Sequence, residues 1–441
     1  MVVEKRINPD PGTIENDAPL DVEIAEPVGE VTELEDGSAI IGEDQEQVAV
    51  DFASNLAEAL DEDELNNLSS ELRQQYEDDK ESRSDYIDSY TKGLDLLGFK
   101  YNDRSQPFQG ASGVTHPLLA ESVTQFQSQA YKELLPAGGP VKCNIVGDVT
   151  PEIEAQSQRV KDYMNYLITD EMEDYDPDMD QLLFYLPLAG SSFKKVYYDG
   201  DLARPVSKFI PAEELVVPYL STDLDTAERV THVVKMTKND IRKAQVAGLY
   251  RDIELLDPYD EETKTQEKYN DIQGIDKPNN AEIYNILELH CDLDIKGFED
   301  PDGIKVPYIV TIEEGTGKIL SIYRNYKQDD PTKRKIQYFV HYKFLPGLGF
   351  YGFGLIHMLG GLSRTATSAL RQLIDAGTLS NLPAGFKARG LRIRDDDNPL
   401  QPGEFRDVDA PSGDLRAGLL PLPYKGPDQT LFALLGFVVD A

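Results

Sequence analysis

Basic residues are the first shortage in this sequence. It has 43 Lys and Arg against 80 Asp and Glu, a formal net charge of −37. A surface this acidic repels phosphates and gains little from counterion release, which excludes a broad phosphate-neutralising grip on nucleic acid. A small basic patch, or action near DNA without gripping it, stays open. Cysteine is scarce too, and Cys143 and Cys291 share no paired spacing. That argues against a disulfide framework and predicts free, buried thiols in a reducing compartment. No apolar stretch approaches the roughly 18 residues of a membrane span. The opening "MVVEKRINPDPGTIEND" lacks an apolar signal core. A soluble chain, intracellular when made and without membrane contact, is expected.

Signatures of chemistry are missing as well. The five histidines, His116, His232, His290, His341 and His357, show neither His-x-x-x-His nor pairing with Cys-x-x-Cys, so they read as structural. Asp292-x-Asp294-x-Lys296-Gly297 begins like a calcium loop. However, Lys296 occupies a ligand place and Gly303 stands where a bidentate Glu is required. There is no Gly-x-Ser-x-Gly elbow and no phosphate loop ending in Gly-Lys-Ser/Thr. The reading is a chain with no catalytic residues, no metal and no cofactor.

What is present is unevenly distributed. Residues 1–80 hold 24 acids and 4 bases, so the global charge exaggerates the acidity of the remainder. Residues 1–50 contain no aromatic residue and bristle with carboxylates. Such a segment buries too little surface to offset its ordering entropy. It predicts a disordered acidic arm, drawn as a domain over 1–60, either a plain solvated tail or a DNA mimic or scaffold-binding tail.

Helical spacing follows over 51–97, 118–135, 151–170 and 177–189, with Pro117 suited to a helix start. After Gly190 the pattern turns to strands in "SFKKVYYD", "RPVSKFI", "ELVVP" and "RVTHVVKM". Thr237-x-x-Asp240 resembles a capping box opening a helix through about Leu249. Residues 257–281 read as polar loop, and 282–345 as strands. Further strands are expected in "GFKARGLRIRD" and "GEFRDVDA". A loop is expected over 411–428, and a last helix from near Asp428.

One motif asks for a decision. Gly347-x-Gly349-x-x-Gly352 lies between a strand-like run and a long helical pattern, the syntax of a dinucleotide-binding turn. Its context fails: upstream strands fall in hairpin order, and Asp375 lies on the same helix before a Gly377 stop. A nucleotide-dependent enzyme is therefore only the alternative reading, beside a scaffold or adaptor that forms no ring. The helix itself carries Leu355, Met358, Leu359, Leu362, Ala366, Ala369, Leu370 and Leu373 on one face. Arg364, Ser368, Arg371 and Asp375 lie on another. Over 354–376 it would span about 35 Å. Such a helix suits either an internal core or a position beside copies of itself around a channel.

The chain resembles the portal proteins, or head–tail connectors, of tailed bacteriophages from about residue 85 onward. The carriers are "LPLAGSSFKKVYYD", "FIPAEELVVPYLSTDLDTAERVTHVVKMTKNDIRKAQVAGLY", the glycine turn with its helix, and "PLPYKGPDQTLFALLGFVVDA". The resemblance implies an α+β subunit with an α/β wing (61–236 and 382–441), paired stem helices (237–256 and 346–381) and a β-rich clip (257–345). Family members continue into more wing and a crown. Here the chain stops inside an amphipathic helix, which implies a record cut before the crown.

By the same resemblance the function is a homo-oligomeric ring of about twelve copies. Double-stranded DNA would pass through it during packaging and ejection. Its partners would be a terminase packaging motor, head–tail adaptor proteins, and major capsid and scaffolding proteins. Its place would be the portal vertex of the virion, after assembly in the host bacterial cytoplasm. Arg364, Ser368, Arg371 and Lys425 would face the tunnel, the three cations holding DNA transiently or else forming ordinary ion pairs. Leu419, Leu420 and Leu422 would form a tunnel loop, or else pack on the wing. Lys327, Lys333, Arg334 and Lys335 would be a clip docking cluster, or else a solvated hairpin tip.

Overall fold

The computed structural model describes residues 51–101, 103–200, 202–258, 262–276, 282–381 and 425–440. It also describes short strands at 31–33, 39–41, 385–387, 392–393, 408–409 and 419–421. The acidic arm needs correction at two places. β1 (Val31–Glu33) and β2 (Ala39–Ile41) pair as an antiparallel hairpin. Residues 51–60 belong to the body, because Leu56 and Ala57 are fully buried against the larger sheet. The Asn55 amide ties this segment down, donating to Leu320 O at 3.2 Å and accepting from Ile322 N at 2.9 Å.

Helices come next along the chain. α1 (Glu62–Ser82) buries Leu65, Leu72 and Tyr76 and carries three acids in its first turn, where the helix dipole favours them. α2 (Ser84–Gly93) and a short 3₁₀ turn end at Gly98, which is left-handed. α3 (Leu118–Leu134), α4 (Pro151–Tyr166) and α5 (Tyr175–Ala189) match the helical spacing. Thr150 caps α4, and Gly190, at φ 93°, stops α5.

Strands then build two antiparallel sheets. β3 (Ser191–Asp199) and β4 (Arg204–Pro211) form the first, completed much later by β10 (Phe339–Lys343) on the other edge of β3. The second has the order β5 (Leu215–Val216), β6 (Arg229–Thr237), β7 (Ile283–Leu293), β8 (Val306–Glu313), β9 (Ile319–Arg324). One face of this sheet meets α1 through Leu287, Leu289, Val310 and Ile322. The other major core joins α2, α3, α5 and the smaller sheet around Phe193, Leu119 and Tyr185.

Three expectations about the middle of the chain change. The helix opened by Thr237 is α6 (Lys238–Val246), short of both Leu249 and 256. Gly248, at φ 70°, turns the chain back so that Arg251 N bonds Leu320 O at 2.8 Å. The polar stretch 257–281 contains a helix, α7 (Lys264–Gln273), capped by the Thr263 hydroxyl. Finally, the 236/237 boundary cuts a continuous sheet, since β6 pairs with β7 from Arg229–Cys291 to Thr237–Ile283. The α+β class holds.

The long helix, α8 (Leu355–Asn381), runs past Gly377 without a break. β11 (Gly385–Lys387) pairs with β14 (Leu419–Pro421), and β12 (Arg392–Ile393) with β13 (Val408–Asp409). Part of the expected 411–428 loop is therefore strand. α9 (Gln429–Asp440) closes the described chain against α8.

Candidate functional site

The glycine turn is built by close backbone approach. The chain leaves β10 at Phe344, whose N–H bonds Gly190 O at 3.0 Å, and Leu345 bridges to Phe353. A Cβ on Gly352 would overlap the carbonyl of Gly190, and one on Gly354 would overlap that of Leu188. Gly190 is hemmed in by the same two residues. The amides of this turn also have partners. Gly352 N donates to Ser191 Oγ at 2.7 Å and Gly354 N to His357 Nδ1 at 3.1 Å. A phosphate cradle needs open N–H groups after a parallel strand. Here the strands are antiparallel and the N–H groups of Gly352 and Gly354 are occupied, which is not the geometry of a dinucleotide-binding turn. Rings brace the turn: Tyr351 stacks on Tyr86 at 4.6 Å between centroids, and its hydroxyl accepts from Arg83 Nη1 at 3.0 Å.

α8 leaves this anchor with an unexpected side turned inward. Ile356, Gly360, Ser363, Ala366, Thr367 and Ala369 are buried. Met358, expected on the apolar face, is exposed, whereas Leu359, Leu362, Leu370 and Leu373 are half-buried. Small residues win the inner side because the helix crosses close to its neighbours. Ile356 fills the space over Gly93, and Gly360 lies against Leu96. Further along, polar side chains bind the loop before α3. Thr367 Oγ1 accepts from His116 N at 3.0 Å, and Asp375 Oδ1 from Ser112 N at 2.7 Å. Arg371 Nε donates to Val114 O at 2.6 Å and its Nη2 to Thr115 Oγ1 at 3.2 Å. Burial, then nearby Arg104, lowers the Arg371 pKa from its ordinary value. Arg364 and Ser368 stay on the outer, solvent side.

A family model described as "Phage SU10 portal protein" matches residues 193–439, from β3 through α9. The chain belongs to that family of phage portal proteins. No curated protein matches it. The match leaves out residues 85–192, to which the resemblance also extends.

The residues singled out on this portal chain divide sharply. Of the four tunnel candidates, Arg371 is committed to its own chain. Lys425 pairs with Asp428 at 2.7 Å, and this contact raises the Lys425 pKa. Leu419 and Leu420 lie in β14, while Leu422 falls outside the described residues. In the clip cluster, Lys333 pairs with Asp300 and sits over the Tyr326 ring. Lys335 donates to the carbonyls of Ala227 at 3.0 Å and Leu224 at 3.4 Å. Lys327 and Arg334 remain exposed, whereas Lys333 and Lys335 are half-buried and held by their own chain.

Sequence reasoning missed a buried ionic centre between the two sheets of this portal protein. Lys195 Nζ of β3 donates to both oxygens of Glu288 of β7, at 2.5 and 2.7 Å. His290 Nε2 lies 2.7 Å from Glu288 Oε1, and His232 is buried nearby. Burial works against the Glu288 charge, but Lys195 and the His290 hydrogen bond hold its carboxyl well below the usual range. Burial also lowers the pKa of His290, and brings that of His232 down to about 3. No local signal could have found a pair separated by 93 residues.

Neither thiol is bonded: Cys143 is half-buried rather than buried, and burial pushes Cys291 up to about 12. Among the described residues no cluster of His, Cys, Asp or Glu is arranged to hold a metal. Among the described residues no helix is long and apolar enough to cross a membrane.

Proposed function

We propose that this chain assembles into a closed ring of about twelve copies. The ring would sit at the capsid vertex as the channel through which double-stranded DNA is packaged and ejected. The observation that carries the reading is the family match over residues 193–439, which includes the anchored turn and α8. In this ring the terminase motor docks during filling and head–tail adaptors afterwards, with major capsid and scaffolding proteins around it. The protein itself catalyses nothing. Arg364 and Ser368, on the exposed outer side of α8, are the tunnel-facing candidates, Ser368 bonded among the described residues only to Gln372 of its own helix. Lys327 and Arg334 are the cations left for docking, and the strand pair carrying Leu419 and Leu420 is the segment that projects into the bore. A net charge of −37 per copy, multiplied around a ring, keeps phosphates from sticking to the passage.

Negative-stain electron microscopy of the purified 441-residue chain tests this directly. Rings with a central hole are expected. A stable monomer at micromolar concentration refutes the reading and favours a scaffold or adaptor that forms no ring.

A further inference from the structure

α7 is a self-contained helix. At its start Thr263 Oγ1 accepts from Gln266 N, and at its end the left-handed Gly274 bonds back to Asn270 O. Its termini therefore ask nothing of the rest of the chain. Of its 10 residues only Thr265 is buried, and that one is polar. Tyr269 and Ile272, both half-buried, rest on the core that includes Tyr90 and Leu94.

Much of what holds α7 is polar. Thr265 Oγ1 lies 2.9 Å from Thr91 Oγ1, and the Tyr269 hydroxyl 2.7 Å from that of Tyr90, both partners being on α2. Lys268 pairs with Asp95 at 2.6 Å and Lys264 with Asp88 at 3.9 Å. Asp271 pairs with Lys100, and Lys235 Nζ of β6 donates to Gln266 Oε1 at 3.0 Å. Water can replace each of these partners, so the contacts separate with little net loss. A helix this short is also marginal in water by itself. Local opening of α7 therefore requires far less than unfolding of the sheets.

The surface under α7 leads to α8. The same α2 carries the start of the long helix, with Tyr86 stacked on Tyr351 at 4.6 Å and Ile356 lying over Gly93. A second route runs through the turn at 212–214. The Tyr269 hydroxyl donates to Glu213 Oε1 at 2.7 Å, and Tyr185 donates to the other oxygen. Arg83 grips the backbone of that turn, donating to the carbonyls of Ala212 at 2.6 Å and Leu215 at 2.7 Å. It also donates to the Tyr351 hydroxyl at 3.0 Å. Tyr269 thus reaches Tyr351 along two chains of contact, one through Tyr90 and α2, the other through Glu213 and Arg83. We propose that α7 is a releasable strap: docked, it backs α2 and holds the start of α8 in place; undocked, it lets that start move. The consequence for a DNA channel rests on the ring reading above, whereas amide exchange reads the strap whether or not a ring forms.

Hydrogen–deuterium exchange in the 441-residue chain tests this. The amides of α7 should exchange at least about tenfold faster than those of β8. Thr91→Cys with Thr265→Cys, in a Cys143→Ser background, joins α7 to α2 on oxidation, because the two hydroxyls replaced are in contact. Against its own reduced form, the oxidised protein should exchange about tenfold more slowly at α7 and at His357 to Gly360, with β8 unchanged. In a second arm, Thr265→Asp should release the strap. It buries a carboxylate against Thr91, whereas Asp in a first helical turn leaves α7 itself intact. Exchange at His357 to Gly360 should then rise while β8 keeps the wild-type rate. An α7 that exchanges no faster than β8 is a fixed part of the core and overturns the proposal. A cysteine pair that fails to oxidise overturns the docking. A locked or released α7 with no change at His357 to Gly360 overturns the hold on α8. The locked arm compares one folded protein in two redox states, so it decides the matter even where Thr265→Asp fails to fold.

Discussion

Replacing Lys195 with Met should be among the most damaging single changes in this protein. The side chains of Lys195 and Glu288 are only 8% and 7% exposed, so neither charge is solvated by water. Removing the ammonium strands the carboxylate, and breaking such a pair costs about 3–5 kcal/mol. Methionine fills nearly the same volume, so cavity formation adds little. Urea melts of wild type, Lys195→Met, Glu288→Leu and the double variant, at one protein concentration, measure the loss and the coupling. The double variant should lose less than the sum of the singles, even though His290 then lacks its acceptor, at about 1–3 kcal/mol.

The sign with pH is also fixed. In wild type the Glu288 pKa is depressed, so its stabilisation is present above the unfolded carboxylate value and fades as pH falls toward the folded one. In Lys195→Met, burial raises the Glu288 pKa with Lys195 no longer opposing it and only the neighbouring histidines acting against it, so the deficit should be greatest at neutral pH and shrink in acid. A loss below about 1 kcal/mol, or a deficit that grows in acid, would refute the view that this pair holds the two sheets together.

Gly354→Ala should destabilise the protein severely, because its Cβ would meet the Leu188 carbonyl, backbone that has no side-chain rotamer to yield; Gly349→Ala, with open space around it, should melt like wild type. Wild-type stability should decline as pH falls below about 6.5, since buried neutral His232 and His290 bind protons only on unfolding. Glu214, raised to about 7 by burial and then by Glu213, opposes that trend between about 4.5 and 7, and Glu214→Gln should steepen the acid decline. Reversing Lys327 and Arg334 to Glu should weaken adaptor binding and its salt dependence without moving the melt. Reversing Lys333 and Lys335 should instead lower the melt, because both are tied to their own chain. Leu419→Ser with Leu420→Ser should leave rings intact but let packaged DNA leak, and full DNA retention would put the gate elsewhere.

Local chemistry made much of this chain legible before any fold was known. Thr237 announces α6 because its hydroxyl needs only an amide three residues away, and Asp240 N supplies it at 3.3 Å. Gly190 announces the end of α5, and runs rich in β-branched and aromatic residues announce the strands of both sheets. Those signals act over a few residues and survive transfer to any context. The acidic composition likewise argues against a broad grip on DNA, since net charge requires no fold. The sequence alone placed Ala366 and Ala369 on the inward side of α8 but missed Ile356, Gly360, Ser363 and Thr367 beside them and wrongly included Met358. Periodicity reports which side of a helix is apolar, but the partner decides which is buried. Here Gly93 leaves room for Ile356, and the backbone of 112–116 offers hydrogen bonds to Thr367, Arg371 and Asp375 that no leucine could make. The glycines of the 347–354 turn were visible as a motif, yet their role depends on Gly190, some 160 positions away. Lys195 and Glu288 likewise acquire meaning only when two sheets stack. Charge and backbone proximity act through space, and only the tertiary structure brings those residues into reach of one another.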